Sequence, residues 1–103
     1  MSWPARIGRT IAALLGSPGR TDPSLRRAVF ERVRVGTGEV PERLAAMVEK
    51  IADHAWTVTD ADFARLAEAG YSEDQIYELV LAASAAAGVR RFEAGLRAME
   101  GAR

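Results

Sequence analysis

His54 is the only histidine in this chain of 103 residues, and histidine is the side chain most easily poised for proton transfer near neutral pH. Asp53 precedes it and Glu49 lies nearby, so either carboxylate could orient the imidazole of a catalytic base. On a helix, however, only Lys50, four residues earlier, shares the side of His54. We therefore favour a structural role for His54, as a helix cap or a partly exposed side chain.

The alternative interpretation is an acid/base enzyme, of the decarboxylase or isomerase type, that acts on a small organic acid or lactone. Its base would be His54, assisted by one of three carboxylates, those of Glu49, Asp53 and Asp62. Arg90 or Arg91 would hold the carboxylate of the substrate, because a guanidinium binds a carboxylate through two parallel hydrogen bonds.

Composition excludes several other chemistries. The chain has no cysteine, so it has no disulfide, no thiolate metal site and no cysteine nucleophile. A single histidine cannot form a His-rich metal site. Most carboxylates between residues 53 and 78 are explained as first-turn residues of two predicted helices, where the helix dipole favours negative charge. We expect neither a metal nor a cofactor.

The net charge of the chain is zero, but its two halves carry opposite net charges. Residues 1–50 carry nine basic and five acidic side chains, and residues 51–103 carry five basic and nine acidic ones. The acidic half argues against a nucleic-acid partner. Charges of opposite sign could attract each other within the fold or between subunits, or remain solvated on separate faces.

Hydropathy predicts neither a membrane span nor a secretory leader. No stretch approaches the roughly 18–20 apolar residues that a membrane span needs, and the opening segment contains arginines and only a short apolar run, residues 11–15. An N-terminal amphipathic helix on a lipid surface fits the spacing, but packing on protein is favoured. We expect a cytoplasmic protein with no membrane partner.

Helical spacing and helix-ending residues predict an all-α fold. A first helix is expected from about Pro4 to Leu15, and a second from the Thr21–Ser24 segment to Gly36. These elements form a predicted N-terminal helical arm, residues 1–38, followed by a helical domain, residues 39–103.

In the second segment, apolar spacing predicts a helix from Pro41 to about Trp56. Capping signals at Thr59 and Ser72 then open two further helices. Phe63, Leu66 and Ala67 are expected to face inward on the first of these. On the second, the inner face is expected to continue past Gly88, where a kink or break could occur, and to comprise Ile76, Leu79, Val80, Ala83, Ala87, Val89, Phe92, Leu96 and Met99.

The alanine-rich segment from Ala82 to Gly88 has small side chains on all sides. Two helices can approach closely there, either inside the monomer or at a dimer interface. A ligand in the space left by the small side chains is the alternative.

The ordered pattern from Pro41 to Met99, about 60 of the 103 residues, resembles the carboxymuconolactone decarboxylase and alkylhydroperoxidase D superfamily. The resemblance is carried by H-A-W-T-V-T-D-A-D at residues 54–62, A-G-Y-S-E-D-Q-I at residues 69–76 and the alanine-rich run. It implies an alkylhydroperoxidase D-like helical bundle that assembles into a dimer, trimer or hexamer.

The same resemblance places the family motif C-x-x-C-x-x-x-H on this chain. The two cysteine positions fall on Ala55 and Val58, and the histidine position falls on Asp62. Peroxidase chemistry needs a reactive thiolate and a resolving thiol, so the isolated chain lacks it. The chain matches a cysteine-less subgroup of small bacterial proteins better than it matches the enzymes. The resemblance thus implies a non-catalytic domain that oligomerises or binds a small molecule or a partner protein.

Overall fold

A computed structural model describes residues 5–101 of the chain. Within that range all of the regular secondary structure is helical, without strands, and loops join the helices. A short 3-10 turn, Ala55–Thr57, lies between the third and fourth helices. The five α-helices are α1 (Ala5–Gly16), α2 (Pro23–Val35), α3 (Glu42–Asp53), α4 (Asp60–Glu68) and α5 (Glu73–Gly101). The predicted all-α bundle is confirmed; Pro4, the expected start of the first helix, lies outside the described residues.

Local capping explains where the helices begin and end. The Asp22 side chain accepts a hydrogen bond from the backbone N–H of Ser24 at 2.9 Å, and α2 ends at Gly36, whose φ of 81° favours glycine. At the start of α5, the Ser72 N–H donates to Oε1 of Gln75 at 2.8 Å and the Gln75 N–H donates to Oγ of Ser72 at 3.1 Å. This reciprocal pair is the capping box that the sequence predicts.

Helix α3 ends three residues earlier than predicted, at Asp53 rather than Trp56. The carbonyl of His54 accepts hydrogen bonds from both the N–H and the hydroxyl of Thr57, at 2.8 and 2.7 Å. A threonine hydroxyl that bonds to a nearby carbonyl competes with the helical pattern. The chain therefore tightens into the 3-10 turn, which leaves the Ala55 and Trp56 side chains exposed.

Helix α5 contacts each of the other four helices, and α2 packs along it more extensively than any other helix. Ala82, Ala83, Ala86 and Ala87 are fully buried, so the alanine-rich segment serves a close helix crossing inside the monomer. All five helices contribute residues to one hydrophobic core, which therefore crosses the boundary predicted between residues 38 and 39. The core residues from α1 and α2 are Ile11, Val29, Phe30 and Val33.

A buried ion pair also ties α2 to α5. Glu78 accepts hydrogen bonds from the backbone N–H groups of Arg20 and Thr21 and from the Thr21 hydroxyl, and its carboxylate lies 3.6 Å from Nη1 of Arg26. Burial raises the pKa of Glu78, but these hydrogen bonds outweigh burial and the net pKa is lowered. Gly19 lies against this pair, since a Cβ there would be 2.9 Å from Nη1 of Arg26 and still closer to the Glu78 carboxylate.

Four of the side chains predicted to face inward are corrected by the structure. Phe63 and Ala67 on α4 are exposed, and so are Phe92 and Met99 on α5. Helix α5 continues through Gly88 without a break. Beyond Gly88, Val89 still belongs to the core and Leu96 is half-buried, whereas Phe92 and Met99 lie on the exposed side of the helix.

Candidate functional site

Asp62, at the motif-histidine position, is a buried carboxylate whose oxygens are all engaged. It lies in the first turn of α4, where its Oδ2 accepts the Thr59 backbone N–H at 2.9 Å. Lys50 of α3 donates to both carboxylate oxygens at 2.9 Å, and Arg65 donates to Oδ1 from the next turn of α4. The carboxylate therefore joins α3 to α4 and caps α4 at the same time.

The hydrogen bond from Lys50, followed by that from the Thr59 backbone, holds the pKa of Asp62 far below its usual range. A carboxylate in this state stays ionised under all ordinary conditions. It is a poor proton donor, and its lone pairs are occupied, so it is also poorly placed to accept a proton from a substrate. The geometry assigns Asp62 a structural role.

His54 forms the C-terminal cap of α3 and is exposed. Its ring packs edge-on against Trp56, with ring centroids 5.1 Å apart and an interplanar angle of 83°. Within residues 5–101 the imidazole makes no hydrogen bond, so no carboxylate orients it. This placement agrees with the favoured interpretation of His54 as a capping, exposed residue.

A groove between α2, α3 and α5, with a volume of about 830 Å³, gathers most of the residues of the predicted acid/base centre. His54, Glu49, Asp53 and Arg90 line it, whereas Asp62 does not. Its charges pair with each other. Arg90 donates to Asp53 at 3.1 Å, and Glu49 lies 3.2 Å from Arg32.

The two remaining motif positions differ in environment. Ala55 is exposed in the 3-10 turn, and Val58 is half-buried and packs against the core. Neither side chain has a group that could take part in redox chemistry or bind a metal. Among residues 5–101 no three acidic or histidine side chains are close enough to hold a metal ion.

The most unusual surface of the chain is an exposed apolar row on α5, which sequence reasoning missed. We call it the outer stripe; it consists of Tyr77, Leu81, Gly88, Phe92 and Met99. Tyr77 is 65% exposed and Phe92 is 42% exposed. The signal was present in the spacing, because the pattern repeats every 11 residues, or three helical turns, so the stripe runs nearly straight along the helix.

Two grooves flank the outer stripe, one beside each of its aromatic residues. The α4–α5 groove, about 710 Å³, lies beside Tyr77 and is lined by Phe63, Val80 and three acidic residues, Asp60, Glu73 and Asp74. The α1–α5 groove, about 380 Å³, lies beside Gly88 and Phe92 and includes Ile7 and the basic Arg6. The apolar surface therefore extends beyond α5 onto both neighbouring helices, with acidic groups at one end and a basic group at the other.

No family model, curated protein or solved structure matches this chain. None of the helices within residues 5–101 has the length and apolar character needed to cross a bilayer.

Proposed function

We propose that this chain is a non-catalytic helical domain of the alkylhydroperoxidase D-like type, which acts by oligomerising or by binding a small molecule or a partner protein. The observation that carries the proposal is the outer stripe. A soluble helix normally buries one apolar face and presents polar residues on the other, whereas α5 is apolar on both. Contiguous exposed apolar surface of this kind is typical of an interaction site.

The geometry around the motif positions supports a non-catalytic role. Asp62 is held by Lys50 and Arg65, and His54 has no orienting carboxylate. A catalytic base needs both access to its substrate and a defined orientation. We also propose that this domain lies in the cytoplasm.

Hydroxyl-radical footprinting in intact expressing cells tests the proposal. Trp56, which is 79% exposed and lies away from α5, serves as the internal reference. The oxidation of Tyr77 and Phe92 is measured relative to that of Trp56 and compared with the ratio of their exposed fractions. If the outer stripe is occupied, both residues are oxidised at least threefold less than this ratio predicts. Oxidation in proportion to exposure would overturn the proposal.

The acid/base enzyme is the second candidate, because one groove brings together His54, Glu49, Asp53 and Arg90. Its test is turnover of a panel of small carboxylic acids and lactones by the wild type, by His54→Ala and by Glu68→Ala, a control variant at an exposed position outside this groove. Turnover that disappears in His54→Ala and persists in Glu68→Ala would establish the enzyme. The binding function predicts no difference among the three proteins.

A further inference from the structure

The outer stripe of α5 is arranged almost symmetrically about the midpoint between Ser84 and Ala85. Tyr77 and Phe92 lie at equal distances from that midpoint, and so do Leu81 and Gly88. In each pair, one member lies toward the start of the helix and the other toward its end. An antiparallel pairing of two such helices about this midpoint places each residue opposite its counterpart.

We propose that the occupant of the outer stripe is a second copy of this chain, paired antiparallel along α5 about a two-fold axis at Ser84 and Ala85. The proposal rests on the binding function proposed above and names the partner. Each contact occurs twice in such an arrangement, as expected for an isologous interface.

Side-chain size favours the antiparallel register. Leu81 of one copy lies opposite Gly88 of the other, and a Cβ at Gly88 would meet nothing within 4 Å in the monomer. The large side chain therefore enters the space that the missing one leaves. Parallel pairing would instead set glycine against glycine and leave a gap.

The aromatic residues of the outer stripe meet in the same register. Phe92 lies opposite Tyr77 of the second copy at each end of the interface. Aromatic pairs of this kind add to the stabilisation from burial alone.

Charge supports the same orientation. The α4–α5 groove carries Asp60, Glu73 and Asp74, whereas the α1–α5 groove carries Arg6 and lies beside the exposed Arg91. Antiparallel pairing brings the acidic end of each copy to the basic end of the other, and parallel pairing brings like charges together.

The face extends along much of α5. From Tyr77 to Phe92 the helix spans roughly 23 Å, and the two grooves widen the apolar surface onto α1 and α4.

Cysteine cross-linking tests the register directly, because the chain has no cysteine of its own. Ser84→Cys places two thiols beside the axis, whereas Met99→Cys places them about 43 Å apart along the helix. Both positions are exposed, so neither variant alters the core. With a thiol-specific cross-linker that spans about 8 Å, Ser84→Cys is expected to give a covalent dimer and Met99→Cys none.

Gly88→Leu in the Ser84→Cys background distinguishes a specific dimer from random collision. A Cβ at position 88 would meet no other atom within 4 Å in the monomer, whereas the new side chain occupies the space that Leu81 of the second copy needs. We expect at least a tenfold loss of cross-linking and a monomer by light scattering. Ala94→Leu, at an exposed position on the same helix that lies off the outer stripe, is the matched control and should leave cross-linking unchanged.

Each other outcome overturns the antiparallel dimer. Cross-linking of both cysteine variants indicates a parallel dimer, and cross-linking of Met99→Cys alone indicates contact between helix ends. A monomer at all micromolar concentrations, with no cross-link, refutes a second copy as the occupant. If the outer stripe is nevertheless protected in cells, the binding function stands with a different partner; if it is also unprotected, both proposals fail.

Discussion

Replacing Phe30 tests whether residues 1–38 fold as part of the same unit as the rest of the chain. Phe30 on α2 is 1% exposed and is the largest of the fully buried side chains. Truncating a buried phenylalanine to alanine removes its transfer free energy and leaves a cavity, at a cost of about 3–5 kcal/mol. For a protein of this size that change lowers Tm by at least about 12 °C.

The assay is thermal unfolding of Phe30→Ala followed by far-ultraviolet circular dichroism and by tryptophan fluorescence. Because the core is shared, we expect one cooperative transition that moves down by the same amount with both probes. Glu31→Ala, at the neighbouring and half-buried position, is the control and should change Tm little. If residues 1–38 were an independent arm, Phe30→Ala would leave a later transition at the wild-type temperature, and the reasoning would be refuted.

Three further predictions concern single side chains. The ionised Asp62 carboxylate stabilises the fold at pH values above the carboxyl pKa of the unfolded chain, about 3.9, and this contribution is lost as pH falls through the lower pKa of the folded protein. Urea titrations should therefore show that the difference in the free energy of unfolding between wild type and Asp62→Asn narrows below about pH 4. Gly19→Ala should lower Tm, since its Cβ would push against the half-buried Glu78 carboxylate and disturb its hydrogen bonds to Arg20 and Thr21, whereas Gly16→Ala should not. Gly88→Ala should stabilise the isolated monomer by roughly 1 kcal/mol in urea unfolding, because it improves helix propensity without a clash; a loss of stability would show that Gly88 has close neighbours.

Local signals in the sequence predicted most of the secondary structure. The predicted caps at Thr59 and Ser72 depend on side chains within three residues, and both form. The end of α3 was missed by three residues because the Thr57 hydroxyl competes for a backbone carbonyl. A periodic apolar pattern does not report that competition.

Tertiary features were harder to predict from sequence. The buried pairing of Arg26 with Glu78 joins residues 52 positions apart, and nothing local in the sequence indicates that an arginine will be buried. Asp62 was weighed as an acid/base residue because the resemblance placed it at a motif position. Only the structure shows that Lys50 and Arg65 neutralise it.

The outer stripe shows how one pattern can satisfy two different requirements. The apolar residues of α5 beyond Gly88 looked like a continuation of the core face, because helical spacing alone cannot tell which side a neighbouring helix covers. The small residues of α5 lie in the core, and its larger ones, Tyr77, Leu81 and Phe92, remain exposed on the opposite side. Water does not stabilise such a surface, and for this reason we propose that a second layer of protein covers it. The alanines and the stripe are therefore two interfaces of one helix, the first closed within the chain and the second, on our proposal, closed between chains.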